Sequence, residues 1–283
     1  MNILLTGATG FIGKNFIKIC LSYGHNIFAI YRDKSKIFMI KNSDSLKWIK
    51  SGLEDFEISK IKNLKIDTLV HLASHSANHP YDSIEKCIDV NVVSSLRFID
   101  KVYKYGIRNF FIAGTGFEYG LSCNLYDKTP TSACLQPIGS YPVSKAIFSM
   151  TLNEWARDKS DITLTYARIF HIYGEGEKES RLWPSLKKAS LSNSDFTIKN
   201  PSIIIDFTNV ELICEMINTD IKKHFNSKKI VYKNLGSDNI MSTFDFASYW
   251  WKKWNSKGTL KSESNSSTNE SNSIIRFVPK IEN

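Results

Sequence analysis

Short apolar runs alternate with amphipathic stretches along the first 170 residues. Met1–Leu5, Asn26–Tyr31, Thr68–Leu72, Asn109–Ala113 and Thr163–Ile169 have the length and the β-branched and aromatic content of buried strands. Between them, Phe11–Cys20 places Phe11, Ile12, Phe16, Ile17 and Ile19 on a helical stripe, and Ile84–Tyr105 and Pro142–Lys159 also read as helices. Strand–helix alternation predicts βαβ units and a parallel sheet. Beyond His171 the order is less regular, with helices predicted at Leu182–Leu191, Val210–Asn218 and Phe244–Trp254 and short strands between them. The expectation is an α/β fold: a doubly wound parallel sheet over residues 1–170, and a small C-terminal α/β substrate lobe over 171–283 with some segments returning to the sheet. The polar, repetitive stretch KSESNSSTNESNS, Lys261–Ser273, reads as a surface loop.

Three glycines, Gly7, Gly10 and Gly13, occupy the turn between the first strand and the first helix. Bare backbone there permits a left-handed turn, close approach of a ligand and tight helix-on-strand packing, while the helix N-terminus presents free N–H groups to an anion. A Rossmann-like dinucleotide site is predicted. The second strand ends in YRDK, where the two dinucleotides are told apart: a carboxylate suits the ribose hydroxyls of NAD, a cation the extra phosphate of NADP. Asp33 can reach a ribose, but Arg32 precedes it and favours NADPH over NAD.

In GSYPVSK, Tyr141 and Lys145 stand one helical turn apart on one face. Bringing a phenol from a pKa of about 10 to about 7 takes roughly 4 kcal/mol, and an ammonium about 5 Å away at an effective dielectric of about 20 supplies about 3 kcal/mol. Lys145 is thus expected to tune Tyr141 for acid–base work, with Thr115 placed beyond a buried strand to hydrogen-bond a carbonyl. Tyr249 and Lys253 repeat the spacing among tryptophans, outside the alternating region and with no hydroxyl-bearing strand end before them.

Composition narrows the alternatives. The chain has 283 residues, 42% of them hydrophobic, and no apolar run near a membrane span, so neither a membrane nor a signal peptide is expected and the location is read as cytoplasmic. Five scattered cysteines without a CxxC pair suggest neither disulfides nor zinc. The net charge of +9 and YWWKKW (Tyr249–Trp254) invite a nucleic-acid reading, but Phe246, Ala247, Trp250 and Trp254 form a core stripe and the lysines are dispersed among acids. No nucleic acid is expected; the charge suits an anionic small substrate. His71, His75 and His79 do not share one helix, so they are read as loop or substrate-wall residues, with no metal.

The motifs TGATGFIG, HLAS (His71–Ser74), Asn91, the strand end at Thr115, YPVSK and ARIFHIYGEGE together resemble extended short-chain dehydrogenase/reductases of the NAD-dependent epimerase/dehydratase family. The resemblance implies a nucleotide-diphosphate sugar substrate, a homodimer, and a triad of Thr115, Tyr141 and Lys145. It implies cofactor contacts from Gly7, Thr9, Gly10, Phe11, Ile12, Gly13, Arg32, Leu72, Ala73, Ser74 and Asn91, besides Tyr141 and Lys145. Gly116 and Phe117 stand where family dehydratases carry an acid pair, and Phe117 and Gly176 where 3,5-epimerase/reductases carry cysteine and histidine. What remains is hydride transfer at a sugar ketone, most like the reductases of nucleotide-linked 4-keto-6-deoxy sugars that feed surface polysaccharides. The rivals are a 4-epimerase with tightly held NAD and a non-catalytic dinucleotide-binding sensor or scaffold. Substrate contacts are expected from His75, Gly116, Phe117, Glu118 and His171, although Glu118 also reads as packing below the site and His171 as a solvated turn residue. Ile205 stands where the family usually has a diphosphate-binding arginine, and Arg181 or Arg276 is expected to substitute.

Overall fold

Two interleaved sets of apolar residues on the strands explain why the sheet is covered on both faces. Ile3, Leu5, Ile27, Ala29, Val70, Phe111 and Ala167 point to one side, and Leu4, Phe28, Ile30, Leu69, Phe110, Ile112 and Leu164 to the other. The computed structural model describes residues 1–37, 43–263 and 273–281. In chain order the first part runs β1 (Asn2–Thr6), α1 (Phe11–Ser22), β2 (Asn26–Tyr31), β3 (Leu46–Lys50), β4 (Thr68–His71), α2 (Ile84–Ile88), α3 (Ser95–Tyr105), β5 (Asn109–Thr115), α4 (Ser140–Ala156) and β6 (Thr163–Ile169). The second part runs β7 (Ile172–Tyr173), α5 (Leu182–Leu191), β8 (Phe196–Ile198), β9 (Ile204–Asp206), β10 (Thr208–Asn209), α6 (Val210–Lys223), β11 (Ile230–Leu235), β12 (Ile240–Ser242), α7 (Thr243–Lys253), β13 (Leu260–Ser262) and β14 (Arg276–Phe277).

The main sheet is seven-stranded in the order β11-β6-β5-β4-β1-β2-β3, and every neighbouring pair is parallel. The order reverses between β1 and β4, so their carboxyl ends flank the crevice where such sheets bind ligands. Helices α1 and α6 pack on one face through Phe16, Ile17, Cys20, Ile213, Cys214 and Ile217. Helices α3 and α4 cover the other through Phe98, Ile99, Val102, Phe148 and Leu152. The helix predicted over Ile84–Tyr105 is interrupted by a π-helical stretch, Asp89–Ser94, which carries Asn91. Thr115 is the last residue of β5, so that strand runs two residues further than expected.

Residues of α6, read from the sequence as part of the lobe, belong to the sheet's cover, and β11 forms the sheet's edge. The lobe proper consists of α5, α7, a three-stranded sheet ordered β12-β9-β14 and the pair β13-β8. An aromatic cluster of Tyr173, Trp183, Phe207 and Phe246, with Trp250 and Trp254 against it, holds these together, and Phe207 stacks on Phe246 at 3.9 Å. The tryptophans of YWWKKW are thus largely packing residues. The polar stretch Lys261–Ser273 lies, from 264 to 272, outside the described residues. Among the described residues no helix is long and apolar enough to cross a membrane, and no three His, Cys, Asp or Glu side chains converge as metal ligands.

Candidate active site

At the crevice, packing dictates glycine. Gly7 has φ +69°, and a β-carbon there would lie 2.6 Å from the Ala73 backbone nitrogen; one on Gly13 would lie 2.2 Å from the Gly7 carbonyl oxygen. The turn is drawn in by the Gly10 N–H, which donates to the Gly7 carbonyl at 2.9 Å. Gly10 caps α1 without a side chain, and no acid occupies the first helical turn, so the N–H groups there are open to an anion. A dinucleotide's pyrophosphate fits this cradle. Phe11 and Ile12 begin α1 and pack partly into the core, Thr9 is half-buried in the turn, and Leu72 and Ala73 close it from β4.

A polar relay fixes the two strand ends that form the cradle. Ser95 donates its hydroxyl to the Val90 carbonyl at 3.0 Å, so its oxygen accepts from His71 Nε2 at 3.3 Å. His71 Nδ1 then accepts from the Thr6 hydroxyl at 2.9 Å, and Thr6 Oγ1 accepts from the Ala73 N–H at 3.2 Å. Burial holds His71 neutral, its pKa pushed down to about 3, with the nearby Lys145 charge adding to the effect.

Arg32 lies exposed just past β2, whereas Asp33 is occupied: its carboxylate accepts from the Ser35 N–H at 2.9 Å and the Ser35 hydroxyl at 2.7 Å. Asn91, expected at the cofactor, is instead 2% exposed and committed to protein groups. Its Oδ1 accepts from the His75 N–H at 2.7 Å, while Nδ2 donates to the His75 carbonyl at 3.1 Å and to Ser144 Oγ at 2.9 Å. It therefore ties the Ser74–His75 loop to α4. The His75 imidazole, expected against substrate, is engaged by Asp82 at 2.9 Å.

Thr115, Tyr141 and Lys145 come together at the end of β5. Tyr141 is buried and hydrogen-bonds with Ser74 and Thr115, and its ring centroid lies 5.7 Å from that of Tyr81. Burial pushes the phenol up to about 12; Ser74 and Thr115 oppose this, while Glu118 and Tyr81 add to it. Lys145 donates to the Ala113 carbonyl at 2.8 Å, and burial brings its ammonium down to about 8 against the pull of Glu118. Burial thus disfavours the charged form of both groups, and the ammonium is docked on a strand carbonyl.

Four further residues expected against substrate are held by protein groups in this structure. Glu118 is wholly buried, with both oxygens taken by protein groups, so it cannot touch a substrate. Gly116 is packed: a β-carbon would lie 2.8 Å from Phe277 and 2.9 Å from Phe170. Phe117 stacks on Phe277 at 4.6 Å. Arg276 bonds the Asp127 carbonyl at 2.7 Å and so is committed to its own neighbourhood. Arg181 pairs with Glu177 at 3.2 Å, and its charge also acts on Tyr81 and His171. His171 is half-buried, its ring 5.0 Å from Phe207; burial and Arg181 hold it neutral, down to about 3. Ile205 packs between the Phe117–Phe170–Phe277 cluster and the Phe207–Phe246 cluster, so the family's arginine position is apolar wall.

The sequence reading passed over Arg168. It is 6% exposed in a strand whose residues are all buried, and it pairs with Glu118 at 2.7 Å. The signal was present in TLTYARI: a guanidinium in an otherwise buried run demands an acid. Tyr81 gave no comparable signal, because only the folded loop brings it to Tyr141.

A profile of the NAD dependent epimerase/dehydratase family matches residues 3–228. Among curated proteins, the dTDP-6-deoxy-L-talose 4-dehydrogenase (NAD(+)) of Aggregatibacter actinomycetemcomitans is 24% identical over 216 residues, covering 75% of this chain and 76% of that one. The CDP-abequose synthase of Salmonella typhimurium is 26% identical over 191 residues, covering 64% of this chain and 56% of that enzyme. Among solved structures, UDP-N-acetylglucosamine 4-epimerase from Methanobrevibacter ruminantium M1, in complex with UDP-N-acetylmuramic acid, superposes with a TM-score of 0.84 at 20% identity, covering 99% of this chain and 89% of that one. The dTDP-glucose 4,6-dehydratase of Bacillus anthracis in complex with NAD gives 0.82 at 19% identity, with 99% and 88% covered. At these identities the superpositions speak for the fold.

The buried His71 makes stability depend on pH. Its imidazole takes a proton near pH 6.5 when unfolded but only near 3 when folded, so the contribution is complete above 6.5 and is lost as pH falls. Between about pH 7.5 and about pH 5 this group should cost roughly 2 kcal/mol of stability. Urea unfolding of wild type and His71→Gln at both pH values should show the variant losing less on acidification by about that amount. Equal losses would mean that His71 titrates alike in both states.

Proposed function

The chain belongs to the NAD dependent epimerase/dehydratase family, and on that premise we propose that it reduces the 4-keto group of a nucleotide-diphosphate 4-keto-6-deoxy sugar with NADPH, in the supply of a surface polysaccharide. The observation that carries this reading is the convergence of Thr115, Tyr141 and Lys145 at the carboxyl edge of the sheet, beside the glycine cradle. Similarity to the talose dehydrogenase and the abequose synthase supports the substrate class.

Gly7, Thr9, Gly10, Phe11, Ile12 and Gly13 would seat the dinucleotide with Leu72, Ala73 and Ser74 across from them. Arg32 would meet the 2′-phosphate, since Asp33 is occupied by Ser35. The cofactor supplies a hydride to the carbonyl carbon. Thr115 orients the carbonyl oxygen, and Tyr141, kept protonated by burial, gives that oxygen its proton as charge develops there. Lys145, docked on Ala113, would hold positive charge near the reacting atoms and bond the nicotinamide ribose. Arg181 is the cation next to Tyr81 and His171 and would take the diphosphate in place of the residue lost at Ile205. Positions 116 and 117 offer no acid or base: Gly116 has no side chain and the Phe117 ring is stacked on Phe277. That favours plain ketone reduction over elimination at neighbouring carbons.

A panel of CDP-, dTDP-, GDP- and UDP-linked 4-keto-6-deoxy sugars with NADPH, followed by product NMR, tests this directly. At least one member should give the 4-hydroxy product; Tyr141→Phe should abolish its formation with NADPH affinity within about threefold of wild type, and Tyr249→Phe should leave it unchanged. Inertness of the wild type on every member would overturn the reading.

Cofactor choice is tested separately by titration. Arg32→Ala should weaken NADPH by roughly tenfold or more and NADH by less than about twofold, from the loss of one charge-assisted phosphate contact. A wild type that prefers NADH would refute the role of Arg32.

A further inference from the structure

The Glu118 carboxylate touches no solvent, contacts one arm of the triad directly and meets the other through a single intervening hydroxyl. Its Oε1 accepts from the Thr115 N–H at 2.8 Å and from the Tyr166 hydroxyl at 2.7 Å, and that same hydroxyl lies 3.4 Å from the Lys145 carbonyl oxygen. Oε2 accepts from Arg168 Nε at 2.7 Å. Arg168 in turn donates to the Tyr119 hydroxyl at 3.1 Å, Tyr119 donates to Asn234 Oδ1 at 2.8 Å, and Asn234 donates to the Thr129 carbonyl at 2.9 Å. The backbone has been left bare to admit this group: a β-carbon on Gly114 would lie 2.7 Å from Glu118 Oε1 and 2.5 Å from the Tyr166 ring.

We propose that Glu118 is a positioning residue for the triad, tying the end of β5 that carries Thr115, through Tyr166, to α4 that carries Tyr141 and Lys145, and fixing a negative charge at that junction. It rests on the reading that these three residues are the reacting set. Two features distinguish it from a purely structural ion pair. An apolar pair of similar volume would hold the core at no loss, since a buried ion pair recovers its desolvation only with good geometry. Moreover, the carboxylate's bond to the Thr115 N–H is one half of a reciprocal cap, whose other half is the Thr115 hydroxyl accepting from the Phe117 N–H at 3.3 Å, so the threonine is held at both backbone and side chain.

The electrostatic role follows from the groups around Lys145. Burial opposes its charge, Glu118 favours it, and His71 on the neighbouring strand stays neutral beside it. Tyr141 is faced by Ser74, Thr115, Tyr81 and Glu118. Removing the carboxylate charge therefore leaves burial opposed by the Ala113 carbonyl at 2.8 Å and the Phe148 ring at 4.9 Å.

The test is a titration of Lys145 by NMR with ¹³Cε-labelled lysine, in the full chain, the signal assigned by its loss in Lys145→Met. Wild type should titrate near 8. In Glu118→Gln the midpoint should fall by about one pH unit or more, with NADPH affinity within about threefold. Because an unpaired Arg168 can unfold the protein, Glu118→Gln with Arg168→Gln is run beside it and should show the same fall. A midpoint that stays at the wild-type value in whichever variant folds overturns the proposal. On any sugar the wild type reduces, kcat should drop roughly tenfold with KM nearly unchanged, whereas a merely structural pair would lower Tm and leave both the lysine midpoint and kcat alone. The lysine titration needs no substrate, so inertness of the wild type on every keto sugar would defeat the ketoreductase reading while this result still stands or falls by itself.

Discussion

A carboxylate with no exposure, Glu118, paired with an almost equally buried guanidinium, Arg168, is the constraint around which the site is organised. Taking two charges out of water costs several kcal/mol each, recovered only by good geometry and by satisfying the remaining donors and acceptors. Both conditions are met: each Glu118 oxygen has a partner at 2.8 Å or closer, and Arg168 passes its other contacts to Tyr119 and the rings of Tyr119 and Tyr166. The pair joins the ends of β5 and β6, and through Tyr119 and Asn234 reaches β11 at the sheet's edge. Removing one partner alone would leave a charge stranded, a loss of about 3–5 kcal/mol in comparable sites.

The two halves of the crevice solve opposite electrostatic problems. At β1 and β4 the link is neutral, a one-way chain from Ala73 through Thr6 and His71 to Ser95, so that no side-chain charge competes with an anion at the helix N-terminus. At β5 and α4 burial disfavours the Lys145 ammonium while the fixed Glu118 carboxylate favours it. The lobe presents apolar wall at Ile205, and the Arg181 charge acts on Tyr81 and His171.

Much of this was legible in the sequence because central strands are buried on both faces and read as continuous apolar runs. Asn26–Tyr31 and Thr163–Ile169 match their strands to the residue. The edge strands escaped that logic: β3, LKWIK, and β11, IVYKNL, are only partly buried and mix lysines with apolar residues. The glycine turn and the tyrosine–lysine spacing were readable because each is a local constraint. Glu118, Asn91 and Arg276 find partners far along the chain, Arg168, Ser144 and Asp127 among them, which local spacing does not give. Spacing likewise gives the proximity of Tyr141 to Lys145 but not the burial both groups share.

Counting cofactor against product tests the central claim most directly. A ketoreductase exchanges its dinucleotide each turnover, whereas an epimerase returns the hydride it removed and keeps its cofactor. Purified protein, denatured and assayed for released dinucleotide, should give little NAD, and each keto sugar converted should oxidise one NADPH. Product accumulating far beyond the NADPH consumed, or an equivalent of NAD released from the denatured chain, would contradict the account and assign the site to epimerisation.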